Sequence, residues 1–218
     1  MRRFGRILSA ATLGLVAITA TLPAQRLLSE RADSWQWYVG PQGGGLIFET
    51  PSQSNSTIPV VGAHLLVMAK TAGLMLSYEE GIGDNETSAI PSGTGTAISV
   101  NFDNIRRFSG ILTIFPWAGQ VQPFLGVGFG IQQVVNPDVE GVFDSPAAAA
   151  AAQAEADDRA SAGFISGLGG LQVSLSKRAV LFGQYQIVSS ADDKLLLGST
   201  HTLSGGIRIG LGRWKRDN

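Results

Sequence analysis

No cysteine occurs in the 218 residues, which excludes a disulfide framework, thiol catalysis and a cysteine-ligated metal. Histidine is nearly as scarce, with only His64 and His201. Charged residues make up 15% of the chain, and basic residues (16) do not outnumber acidic ones (17), so the electrostatic footprint of a nucleic-acid binder is missing. Long hydrophobic runs are lacking too. Beyond the amino terminus every apolar stretch meets a glycine or a polar residue well before the roughly 18 residues of a spanning helix. A membrane-embedded version of this chain must therefore cross by a closed barrel, the other structure that satisfies backbone hydrogen bonds in hydrocarbon.

The amino terminus predicts export. Arg2, Arg3 and Arg6 form a basic region, Ile7 to Thr21 an apolar stretch, and Leu22-Pro23-Ala24 a cleavage point. Residues 1–24 read as a signal peptide, 25–33 as a short lead and 34–218 as one domain. Loss of Arg2, Arg3 and Arg6 with the signal leaves 13 basic against 17 acidic residues, a net charge near minus four.

What the chain has in quantity is glycine, 28 residues, set within alternating patterns. The pattern is clearest in Ile105 to Val134, where two alternating runs flank the breaker-rich Pro116-Trp117-Ala118-Gly119, as in an antiparallel hairpin. Leu125, Val127, Phe129 and Ile131 share one face, and Gly126, Gly128, Gly130 and Gln132 the other. The pattern recurs with no amphipathic helix to cover the greasy face, so that face is expected to meet lipid.

Eight strands are expected, at about residues 34–48, 60–69, 73–80, 103–115, 122–135, 163–175, 179–189 and 199–212. Short connections (70–72, 116–121, 176–178) alternate with longer ones (49–59, 81–102, 136–162, 190–198), as in an up-and-down barrel with short turns on one side of a bacterial outer membrane and longer loops on the other. Trp35, Trp37, Trp117 and Trp214 all fall on the short-turn rim, as a periplasmic aromatic girdle would. The long connections hold Glu49, Asp84, Glu86, Asp138, Glu140, Asp144, Glu155, Asp157, Asp158, Asp192 and Asp193 against Arg159 and Lys194, whereas Lys70, Lys177, Arg178, Arg213, Lys215 and Arg216 occupy the other rim. In the third long loop, Ser145-Pro146 followed by six alanines predicts an N-capped short helix. A low-complexity tip fits the same composition.

The last strand alternates His201, Leu203, Ile207, Ile209 and Leu211 outward with Thr202, Ser204, Gly206, Arg208 and Gly210 inward. Ser204, Gly206, Ile209 and Leu211 match the spacing of a carboxyl-terminal assembly signal, and here the chain resembles the small eight-stranded outer-membrane barrel proteins of the OmpA and OmpX kind. The resemblance implies outer-membrane lipid and the barrel assembly machinery as partners, with amino and carboxyl termini in the periplasm. Two departures stand out: aliphatic Ile209 and Leu211 replace the favoured aromatics, and the chain continues through Arg213 to Asn218.

A barrel of eight strands has an interior that side chains fill. Parity turns Gln36, Tyr38, Gln42, Ser77, Glu79, Arg107, Ser109, Thr113, Gln132, Gln172, Gln184, Gln186, Ser204 and Arg208 inward as a polar plug. Glu79 and Arg107 are expected to form an ion pair, with Arg208 joining the same network lower down. No cofactor or metal is expected, since the acidic pairs lack the ligand spacing of a calcium loop. The Gly-rich runs 126–130 and 167–170 lie within strands, without the following helix a nucleotide-binding loop needs.

The expected role is structural, or surface contact with an extracellular partner through the acidic loops. An enzymatic alternative, resembling lipid A deacylases, needs a histidine and a serine two residues apart on one lipid-facing strand. Here Leu203 stands at that spacing from His201 and Ser204 has the opposite parity. A third alternative is a soluble carrier of the lipocalin type with greasy residues turned inward. The barrel reading predicts that the protein needs detergent for extraction and migrates faster on an electrophoresis gel before boiling than after. A soluble fraction, or one unchanged band, would count against it.

Overall fold

The computed structural model describes residues 34–91, 97–176, 178–190 and 194–215. The expected signal and lead, residues 1–33, lie outside the described residues, as do Lys177, Asp192 and Asp193. In chain order the elements are β1 (Ser34–Glu49), β2 (Ser56–Ala69), β3 (Ala72–Pro91), β4 (Ala97–Ile114), β5 (Val121–Val135), a short β6 (Asp138–Glu140), helix α1 (Pro146–Arg159), β7 (Ser161–Ser174), β8 (Ala179–Ser190) and β9 (Leu197–Lys215). The eight long strands pair antiparallel with their sequence neighbours, and β1 pairs with β9, so the sheet closes on itself. The short β6 adds to the far end of β4 at Ser99–Asn101.

The registers set the tilt. Stepping sideways from Val39 leads through Leu65, Leu76, Gly110, Phe129, Ile165, Ser189 and Ser199, and returns to β1 between Ile47 and Glu49, eight to ten residues beyond the start. Such a stagger in eight strands inclines them steeply to the barrel axis. Phe129 and Ile165 on this path point outward, 74% and 73% exposed, and Leu112, Leu125, Val127, Leu171 and Leu203 share their face. A continuous apolar belt of this kind is what a transmembrane barrel presents to lipid. The carrier alternative, which turns these residues inward, does not fit.

Inward-facing glycines have a steric reason. A Cβ built on Gly44, Gly62, Gly128, Gly130 or Gly206 would collide with the backbone carbonyl of a neighbouring strand, and Phe164 and Phe182 lie over Gly130 and Gly206. Outward-facing Gly183 has open space around its Cβ position. Near the carboxyl end, Gly212 (φ 138°) lies beside the register shift between Trp37 and Tyr38, a backbone conformation that side chains disfavour.

Two features differ from the sequence reading. First, residues 81–102 are not mainly a loop. The hairpin of β3 and β4 continues past the belt, pairing Ile82 with Asn104 and, beyond a bulge at Asn85 (φ 57°), Glu86 with Phe102 through Pro91 with Ala97. Alternation does persist there, in Ser88, Ile90, Val100 and Phe102, but the inserted bulge residues shift its phase.

Second, the interior is layered and not polar throughout. Leu46, Phe48, Ile58, Val60, Ile90, Val100, Phe102, Ile105 and Val134 form an apolar cluster at the long-loop end, closed by Ala156, Ala160, Leu195 and Leu196. A second cluster toward the short turns holds Tyr38, Leu66, Met68, Met75, Ile111, Phe115, Phe124, Leu168 and Val180. Strands such as β2 carry apolar residues on both faces, so polar parity alone underestimates what is inside. Helix α1 starts as expected: the Ser145 side chain accepts from the Ala148 amide (3.2 Å), with proline next.

The steric argument predicts opposite outcomes for two alanine substitutions. Gly130→Ala should destabilise the barrel by about 1–3 kcal/mol through overpacking and lower the fraction refolding to the fast-migrating form. Gly183→Ala should leave that fraction unchanged.

Candidate functional site

Between the two apolar clusters lies a hydrogen-bonded chain of polar side chains. Glu79 of β3 and Arg107 of β4 are directly opposed in register. Arg107 Nη2 donates to Glu79 Oε2 (2.7 Å) and to Thr202 Oγ1 (2.6 Å). Both charged residues are 2% exposed, so each relies on the other for its charge balance. Gln42 Nε2 donates to the other carboxylate oxygen of Glu79 (2.8 Å). It does so across β2, where Gly62 lies opposite both residues and leaves the path open.

His64 continues the chain. Arg208 Nε donates to His64 Nε2 (2.9 Å), and His64 Nδ1 stands 3.0 Å from Gln42 Oε1. A guanidinium has no acceptor, so Nε2 must be the unprotonated nitrogen and Nδ1 must donate to Gln42. The chain thereby has one direction: Arg208 to His64 to Gln42 to Glu79, with Arg107 donating to the same carboxylate from the opposite side.

Arg208 also donates to Gln172 Oε1 (2.7 Å), and Gln172 Nε2 to Gln122 Oε1 (2.8 Å). Its guanidinium lies over the rings of Phe182 (4.1 Å) and Phe124 (5.1 Å), a cation–π sandwich. Among the described residues the hydrogen bonds of this network draw on every barrel strand except β8, which contributes the ring of Phe182.

The residues read from sequence thus fall into three groups. Glu79, Arg107 and Arg208 lie in one connected network. Gln184 and Gln186 face the same lumen, but among the described residues no bond joins either to those three, and Gln184 Oε1 has no partner. On the short-turn rim, Trp35 and Trp214 are register partners, Trp37 follows two residues on, and Trp117 lies in the turn before β5. Trp37 and Trp117 are exposed.

Sequence reasoning placed His64 in a strand as a structural residue but missed its inward face and its place in the network. His64 lies in Val60–Met68, where Val61, Leu65 and Val67 on one face and Val60, Leu66 and Met68 on the other leave no polar phase to read. The long-loop edge of the belt was missed as well. There Tyr78 Oη donates to Glu80 Oε2 (2.7 Å), Arg106 Nη2 donates to Glu80 Oε1 (3.3 Å), and the Tyr78 and Phe108 rings stand 4.8 Å apart. Glu80 and Arg106 beside inward Glu79 and Arg107 were the available signal: a charged pair on the greasy phase marks where the belt ends.

At the long-loop end, Gln153 fastens α1 to the chain before and within β6, donating to Pro137 O (2.7 Å) and accepting from the Val139 amide (3.2 Å). Leu195 N donates to Arg159 O (3.3 Å) and Leu195 O accepts from Ser88 Oγ (2.8 Å), which seats the 194–196 segment across the mouth. The surface above is acidic, with Asp84, Asp138, Glu140, Asp144, Glu155, Asp157 and Asp158 exposed. An open cleft of about 600 Å³ runs between Asn136–Asp138 and Gln153–Asp157.

Among the described residues no group of three or more metal-ligating side chains converges. His201 faces outward and pairs with the Tyr185 hydroxyl, whereas Ser204 is buried on the lumen side. The two are on opposite faces of β9.

The buried pair predicts a thermodynamic cycle. Arg107→Met leaves Glu79 uncompensated and should cost about 3–5 kcal/mol in urea unfolding. Adding Glu79→Gln should recover most of that loss. If the double variant is no more stable than the single, the coupling is absent.

No family model and no curated protein matches the chain. Among solved structures it is similar to Neisserial surface protein A, with a TM-score of 0.54 at 12% identity, covering 79% of this chain and 96% of that one. Two others are the outer membrane protein OprG from Pseudomonas aeruginosa (TM-score 0.44, 11% identity, 82% of this chain and 93% of that) and Ail of Yersinia pestis, solved with a heparin analogue (0.42, 9%, 82% and 99%). Joined to the closed ring and the outward apolar belt, the first of these likenesses carries the conclusion that this chain has the fold of the small eight-stranded outer-membrane barrel proteins.

Proposed function

We propose that the chain is an integral outer-membrane barrel with both termini in the periplasm, that it is not a general pore, and that it works through its acidic outer surface by contact with a cationic partner. The observation that carries this reading is the double closure of the lumen, by the side chains around the buried ion pair and by the apolar lid of Ala156, Ala160, Leu195 and Leu196 above it. The short-turn tryptophans and the Tyr78–Arg106 cluster support the orientation, since both are residue types of a membrane interface.

Electrostatics favours the cationic partner. The exposed acids outnumber the two basic groups of that surface, and Arg159 is bonded to Glu155 (2.8 Å). Oppositely charged surfaces gain mainly in encounter rate, and that gain fades with salt. The lipid A deacylase reading has less support, because it requires histidine and serine on one face of a strand. Outer-membrane lipid and the assembly machinery remain the partners that folding itself demands.

Two measurements test the proposal. Reconstituted protein should show no steady conductance and no sugar-driven liposome swelling above protein-free vesicles. A basic peptide should bind the reconstituted barrel at low salt, several-fold more weakly at about 0.15 M salt, and more weakly again after Asp138→Asn, Asp144→Asn, Asp157→Asn and Asp158→Asn together. Salt-independent binding, or binding unchanged in that variant, would refute the partner chemistry.

A further inference from the structure

The lumen contains a second set of polar atoms that the Glu79–Arg208 chain does not use. Arg107 Nη1, Gln132 Oε1, Ser166 Oγ, Gln184 Oε1, Thr200 Oγ1 and Ser204 Oγ are all buried without a protein partner. They are not scattered. All six lie on the wall made by β4, β5, β7, β8 and β9, and none on β1, β2 or β3.

The registers arrange them in complementary pairs. Arg107, a donor, is directly opposite Gln132, whose carbonyl is the unpartnered atom. Gln184, again with an unpartnered carbonyl, is directly opposite the hydroxyl of Ser204. Ser166 and Thr200 flank Val188 across β8. A buried carbonyl or hydroxyl without a partner is costly, and such groups in folded proteins are ordinarily satisfied by protein or by ordered water.

There is room where the line begins. Gln132 borders a small cavity of about 10 Å³ at the seam between Arg159–Ala160 and Lys194–Leu196, on the scale of one water molecule.

We propose that this wall binds a line of internal water, entering at the seam beside Gln132 and running past Arg107, Thr200 and Ser166 to Gln184 and Ser204. Water is the ligand class that fits because each pair needs one molecule able both to donate and to accept. The hydrated atoms are thus confined to β4 through β9, where they stand beside directly bonded groups, while Gln42, His64 and Glu79 on β1, β2 and β3 are tied by direct side-chain bonds. The lid excludes larger solutes while leaving the seam open to molecules of water's size.

Two experiments on the whole barrel in detergent micelles decide the matter. In wild-type protein, nuclear magnetic resonance magnetisation transfer from water should reach the side-chain amides of Gln132 and Gln184. In addition, Thr200→Val and Ser204→Ala remove single hydroxyls with little change of shape. A hydroxyl bonded to water is missed when removed, so the thermal midpoint should fall by about 2–4 °C in at least one variant. A dry, unpartnered hydroxyl is better absent, so a midpoint unchanged or raised in both variants overturns the proposal. Failure of transfer to both amides also overturns it, whether or not the variants fold.

Discussion

A peptide group in hydrocarbon has no water to fall back on, so an unpaired strand edge there costs several kcal/mol for each exposed amide or carbonyl. The antiparallel pairing of β1 with β9 removes both edges at once, and most other features follow from it. Once Trp35 meets Trp214 and Ile47 meets His201, strand parity assigns every residue to lipid or to lumen. The same closure fixes the stagger, and the stagger makes neighbouring strands cross so tightly on the inside that glycine is required where Gly44, Gly128 and Gly206 stand. Glycine abundance in this chain is therefore partly a consequence of closing a small cylinder.

Closure also creates the charge problem that the interior solves in two different ways. Arg107 has a carboxylate directly across the hairpin and forms an ion pair with it. Arg208 lies deeper, among Tyr38, Met75 and Phe124, where among the described contacts an imidazole nitrogen, an amide oxygen and two aromatic faces take the carboxylate's place. The second solution works only with His64 in a single tautomer, and that tautomer orients Gln42 so that its amide group reaches Glu79. One carboxylate thus serves both guanidiniums, one by contact and one through two neutral side chains. Removing a single partner from such a chain leaves a buried group unpaired, a larger loss than the net worth of the bond itself.

How much of this could be read from sequence depended on whether a strand had contrasting faces. In β5 and β9, glycine, glutamine or arginine alternates with large aliphatics, so the phase, the inward Arg208 and the outward Phe129 were all legible. In β2 both faces are apolar, and the inward face of His64 could not be read. The extended β3–β4 hairpin was hidden for another reason. Its polar residues Asp84, Asn85 and Glu86 resemble a loop, and the bulge at Asn85 inverts the alternation beyond it. The lid was the least visible element. Leu195 and Leu196 are two apolar residues in a connection, and only the folded chain brings them over Phe48 and Val100 from more than ninety residues away.

That lid shapes which surfaces stay open to contact. A barrel with a filled lumen has two free surfaces, the belt and the rims, and the belt is occupied by lipid. The short-turn rim carries the residue types of an interface anchor, tryptophan and lysine or arginine. The long-loop rim instead carries exposed carboxylates on α1, on β6 and on the β3–β4 bulge, all raised above the apolar cluster beneath them. Holding Ala156 and Ala160 down on that cluster turns Glu155, Asp157 and Asp158 outward, because residues one or two apart on a helix face different ways. The contacts that close the barrel mouth are thus the same ones that present its negative charge to whatever approaches.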